Sequence, residues 1–131
     1  MSVGDSSSPI GKVRGLGSAG EGGEHWLTER VTSIASLLLG TWLVASLVML
    51  PDLGQRTVIE WLRAPSGAVP MALLIVAGFK HALDGVKVAV DDYVHDEGSR
   101  FAVNTLFLFL AVGGAALALF ALLRIVFGAA A

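Results

Sequence analysis

The sequence predicts an all-α membrane protein with three transmembrane helices. Hydrophobic residues make up 54% of the 131 and charged residues 15%, where soluble domains run at about 45–50% and about 25%. The mean hydropathy is +0.72. Two stretches, 31–51 and 101–123, carry no charge over 21 and 23 residues, and each is long enough to cross a hydrocarbon core about 30 Å thick. This composition excludes a soluble enzyme with an aqueous active site of its own. A net charge of −2 and a pI near 5.8 lack the basic stripe of a nucleic-acid binder, so no nucleic-acid partner is expected. With no cysteine, the chain has no disulfide, no thiolate nucleophile and no Cys-ligated zinc or iron–sulfur cluster.

Residues 1–26 read as a polar tail rich in Gly and Ser, and 27–131 as the membrane domain. The tail lacks the apolar run of about 7–15 residues that a secretory signal needs. Gly15-Leu16-Gly17-Ser18-Ala19-Gly20 matches G-x-G-x-x-G literally. A dinucleotide fingerprint needs a hydrophobic strand before it and a helix after it, and neither flanks this stretch.

The first helix is expected near 27–50, stopped by Pro51-Asp52-Leu53-Gly54. The second is expected near 68–93, with Ser66-Gly67 and Pro70 in its first turn. Its uncharged part, Ala64 to Phe79, is too short to span alone. Unpaired backbone groups are costly in lipid, so the helix should continue through Lys80, His81, Asp84 and Lys87 to Tyr93. Gly98-Ser99 marks the next break, with Ser99 as N-cap of a third helix near 100–127. Gly113-Gly114 in that helix suits either a close helix contact or a lipid-facing position. With the N-terminus inside, Lys12, Arg14, Arg30 and Arg100 face Arg56, Arg63 and Arg124 across the bilayer. The balance faintly favours a cytoplasmic N-terminus.

The middle helix carries the chemistry. Ionisable groups within a membrane normally face a protein interior, a cavity or a cofactor. Asp92 lies about 20° around the helix from His81 and Gly85 about 40°, so a flat ligand could approach the backbone one turn from the imidazole. His81 admits three readings: a hydrogen-bonded structural histidine, a member of a proton relay, or a metal or haem ligand. An electron-transferring haem b commonly takes two axial imidazoles. His25 and His95 lie near the water interface, so a second ligand would have to come from another subunit. Arg30 opens the first helix at the membrane edge, where it could serve haem propionates or the quinone-site edge, or simply anchor the helix. Lys80 and Lys87 share a face and are expected to snorkel or to pair with Asp84 and Asp91. Alone, Tyr93 reads as an aromatic-belt residue and Asp92 as a solvated helix-end carboxylate.

His81-Ala82-Leu83-Asp84-Gly85 followed by Asp92-Tyr93 resembles the H-A-x-x-G…D-Y pattern of the hydrophobic membrane-anchor (D) subunit of succinate dehydrogenase. Arg30-Val31-Thr32-Ser33-Ile34 is similar to that family's R-[VA]-T-[AS]-I opening. Val13 to Ser18 with Glu24-His25-Trp26 resembles alphaproteobacterial tails. The resemblance implies packing with a second three-helix cytochrome b anchor subunit, and attachment of an iron–sulfur subunit and a flavoprotein subunit on the cytoplasmic face of a bacterial inner membrane. It implies haem b shared between the anchors, with His81 as one axial ligand. Ubiquinone would be the substrate, bound by Tyr93 with Asp92 positioning the site or supplying protons, and Arg30 would serve the propionates or the pocket edge. No catalytic residue for succinate itself is expected on this chain. The rival readings are an anchor of quinol:fumarate reductase and a small proton-translocating or transport subunit using His81, Asp84 and Lys87.

Overall fold

The computed structural model describes residues 22–128, which form four helices: α1 (Gly22–Met49), α2 (Gln55–Arg63), α3 (Pro65–Tyr93) and α4 (Glu97–Phe127). Lys12, Arg14 and the Gly15–Gly20 stretch lie outside the described residues, as do the side chains of Glu24 and His25. The chain divides into two compact units, Met1–Val31 and Thr32–Ala131. Three helices are long and apolar enough to cross a membrane, at Trp26–Met49, Pro65–Tyr93 and Glu97–Phe127. The three expected spans are therefore present, and no strand occurs among the described residues.

Each of the three helices that hold these spans starts three to five residues before its expected first residue. A helix does not stop where the hydrocarbon stops; its backbone bonds run on into the interface until a breaker or a cap intervenes. At α3 the breaker is Ala64, whose extended backbone (φ −69°, ψ 139°) closes α2 and opens α3. Pro65 follows at the first helical position, where a fixed φ and a missing N–H cost nothing. So abrupt a corner brings Gly67 against the Trp61 carbonyl, and a Cβ there would collide with backbone.

At α4 the cap differs from expectation. Asp96, not Ser99, is the N-cap: its carboxylate accepts the Ser99 N–H at 2.7 Å. Both residues are good caps three positions apart, and the helix starts at the earlier one because its side chain reaches the third N–H. That hydrogen bond holds the Asp96 carboxyl below its ordinary value of 3.8. The group is fully ionised above that value, so its contribution to α4 is present there and is lost as pH falls through the lowered folded pKa. Asp96→Ala should therefore raise amide exchange in the first turn of α4 at neutral pH and make no difference in strong acid. Equal exchange rates at neutral pH would remove the cap from the account.

The fourth helix, α2, has no counterpart among the expected elements. Val58, Ile59 and Leu62 fall on one side and Arg56 and Glu60 on the other, and Leu62 is buried. The Asp52 carboxylate accepts from the Gly54 N–H at 2.7 Å and the Thr57 hydroxyl at 2.8 Å, stitching the turn to the helix. These bonds, the Thr57 hydroxyl foremost, hold Asp52 below 3.8. At the other end Arg63 donates through Nε to the Ile125 carbonyl (3.1 Å) and through Nη2 to that of Gly128 (3.3 Å). It thereby satisfies carbonyls that the end of α4 leaves without intrahelical partners.

Within the second unit α3 packs chiefly on α4, and α2 packs on both. Of the two adjacent glycines of α4, Gly114 meets the Phe79 ring of α3, and a Cβ there would come within 2.6 Å of it; Gly113 faces open space. From residues 32–49 of α1, Trp42 stacks on Trp61 of α2 (centroids 5.5 Å apart, 28° between planes) and Ser33 lies beside His81 of α3. Among the described residues the buried apolar side chains are Leu62, Leu83, Val90 and Leu122. No described residue of α1 is buried. Nearly all the apolar surface is left for lipid or for other chains.

Candidate functional site

α3 bears two polar stripes about 100° apart, and they have opposite fates. Lys80, Asp84, Lys87 and Asp91 recur at spacings of three and four and lie on the side that α4 covers. Asp84 is 2% exposed. The Lys80 ammonium donates to its two carboxylate oxygens at 2.6 and 2.5 Å. Lys80 thus pairs with Asp84 as expected, and a buried carboxylate without such a partner would be strongly unfavourable. Lys87 does not pair with Asp91. The Asp91 carboxylate instead meets Arg100 Nε at 3.9 Å and the Asn104 amide at 3.4 Å, both on α4. The lost pairing is a tertiary effect, since α4 presents two donors to the place that Lys87 would have taken.

The second stripe, His81, Gly85 and Asp92, is exposed along its length. The His81 Nδ1 lies 3.5 Å from the Ser33 hydroxyl of α1. Its Nε2 has no hydrogen-bond partner among the described residues. One turn on, the space beside Gly85 is open, with nothing within 4 Å of where a Cβ would stand. An exposed imidazole thus has one nitrogen within reach of a hydroxyl and the other without a partner among the described residues, one turn from a position that bears no side chain. Among the described residues no group of three His, Asp or Glu side chains gathers into a metal site. One-sided ligation is what this donor set can supply.

Tyr93 is the last residue of α3 and is 83% exposed. It stands about 18 Å along the helix from His81 and about 120° around it, so the two do not meet. Asp92, beside it, stays in line with the imidazole. His95 is exposed in the turn to α4. Arg30 belongs to the first unit, where its guanidinium stacks over the Trp26 ring at 5.4 Å from the centroid, a cation–π contact. Ser33 was legible from sequence only as part of the R-V-T-S-I pattern. Its pairing with His81 joins residues 48 apart, which no local spacing announces.

The family model described as "Succinate dehydrogenase/Fumarate reductase transmembrane subunit" matches residues 5–123. The chain belongs to that family. The anchor is 30% identical over 122 residues to the succinate dehydrogenase hydrophobic membrane anchor subunit of Rickettsia bellii (strain RML369-C), covering 93% of this chain and 90% of the relative. It is 28% identical over 122 residues to the subunit of the same name from Paracoccus denitrificans, covering 93% and 94%. It is 31% identical over 91 residues to that of Rickettsia conorii (strain ATCC VR-613 / Malish 7), covering 69% and 72%. No solved structure matches it. The resemblance carried by His81 to Gly85, Asp92-Tyr93 and the Arg30 segment therefore holds at the level of the family, and the anchor is a multi-pass membrane protein of the succinate dehydrogenase type.

Proposed function

We propose that this anchor lends His81 as one axial ligand of a haem b shared with a second three-helix anchor subunit, and contributes Tyr93 and Asp92 to a ubiquinone-reduction site. Electrons from succinate, oxidised in a flavoprotein subunit and passed through an iron–sulfur subunit, would reach quinone at that site. The observation that carries the reading is the state of His81: Nδ1 lies 3.5 Å from the Ser33 hydroxyl, Nε2 has no partner among the described residues, and the space at Gly85 one turn on is open. A haem bound there supplies one-electron capacity within the bilayer, and the residues present fit it on one side only. Arg30 provides a cation for the propionates or for the edge of the quinone pocket. The proposed setting is a bacterial inner membrane with the N-terminus in the cytoplasm.

Tyr93 is suited to a quinone carbonyl. A phenol donates one hydrogen bond, and that bond strengthens as negative charge accumulates on the oxygen during reduction. The ring stands at the helix end, where a long-tailed quinone can enter from the lipid with its head at the interface. Asp92 adjoins it and can pass protons inward from water. Succinate chemistry has no residues on this chain in the proposal.

The test is Tyr93→Phe in the assembled complex. We expect succinate:quinone turnover to fall roughly tenfold or more, as for loss of a donor to a developing negative charge, while reduction of a soluble dye and the haem b spectrum stay at wild-type levels. Full quinone turnover in this variant would mean that the phenol is a belt residue and nothing more.

A further inference from the structure

We propose that Ser33 fixes the proton of His81 on Nδ1 and so presents Nε2 to the metal; the inference rests on the haem reading above. The Ser33 hydroxyl lies 3.5 Å from Nδ1, on a different helix from His81. A neutral imidazole carries one N–H, and the hydrogen bond made by one nitrogen decides which nitrogen keeps a lone pair. With the hydroxyl oxygen accepting from Nδ1–H, the lone pair is on Nε2, which has no partner among the described residues and is free to ligate. With the hydroxyl donating instead, the proton would sit on Nε2 and close that position. A serine can accept one bond while its own proton goes elsewhere, so this role excludes no other bond of Ser33.

The surroundings leave the task to Ser33. Both oxygens of the nearest carboxylate on α3, Asp84, are engaged by Lys80. Asp92 is three turns away along the helix. Ser33 is the one hydrogen-bond partner of His81 among the described residues. Metal-bound histidines generally donate their second N–H to a carboxylate, a carbonyl or water, which orients the ring and raises its basicity. Here a hydroxyl on α1 takes that place, and it also ties α1 to the ligand-bearing face of α3. Ser33 is a positioning residue, acting through His81.

The experiment compares Ser33→Ala and Ser33→Thr in the assembled complex by reduced optical spectra, redox titration of haem b and the rate of haem loss in detergent. Alanine is the best helix former, so the first substitution keeps α1 intact. Without the acceptor the imidazole donates less to ferric iron, so the ferrous form gains. We expect a roughly tenfold change in their ratio, an upward shift of about 59 mV for a one-electron couple, and haem loss faster by about tenfold. Ser33→Thr keeps the hydroxyl and should match wild type. Wild-type potential and retention in Ser33→Ala, or equal shifts in both variants, would overturn the assignment. His81→Ala separates the two levels. If it spares the haem band, the haem reading fails and the Ser33 role with it. If it removes the band while Ser33→Ala changes nothing, only the Ser33 role fails.

Discussion

His81→Ala is expected to abolish the dithionite-reduced haem b band of the assembled complex, or to leave a five-coordinate residue of it that is lost on purification. Outer-shell partners of a metal ligand are worth about 10–100-fold in affinity, so removing the ligand itself should cost at least about a hundredfold. Among the described residues no substitute stands near: His95 lies beyond the end of α3, and Ser33, the one side chain bonded to His81 there, carries an oxygen too poor a donor to replace imidazole. His81→Met sharpens the test, because a thioether can still bind iron and raises the potential of the couple. An unchanged band and potential in His81→Ala would leave the exposed face of α3 without its proposed ligand and return the imidazole to a structural role.

The second large effect concerns stability. Lys80→Met leaves the Asp84 carboxylate, whose side chain is 3% exposed, without its cation. Breaking a buried pair from one side typically costs about 3–5 kcal/mol, because the stranded charge keeps its desolvation penalty and loses its attraction. Replacing both partners by apolar groups, Lys80→Met with Asp84→Leu, should recover most of that loss, since the same penalty disappears with the charge. Thermal denaturation of the complex, followed through the anchor, reads both. Should Lys80→Met melt at the wild-type temperature, the pair contributes nothing to the α3–α4 contact. The two substitution sets address different faces of one helix: His81 looks outward from the chain, whereas Asp84 is closed in beneath α4.

The spans were legible because uncharged runs of that length have few other uses, and because α3 could not end within lipid at Phe79. The two stripes were legible in part. Angular arithmetic alone places His81, Gly85 and Asp92 on one face, and it also places Tyr93 well off that face. It does not say which face α4 covers, and so it left open whether Lys87 pairs with Asp91 or snorkels. α2 escaped notice for a different reason. Its nine residues are too short and too polar to register beside twenty-residue apolar runs, and its amphipathic pattern becomes meaningful only when Leu62 has something to pack against. The cap of α4 turned on a choice between Asp96 and Ser99 that composition leaves balanced. Ser33 lay in plain view as one polar residue of an opening motif, and its importance depends on a contact across 48 positions.

A chain with so few enclosed side chains is an unfinished solid. Its free energy of folding is inseparable from that of whatever closes over α1 and the imidazole face, and a melting temperature assigned to it has meaning only alongside the amounts of lipid and companion subunits in the sample.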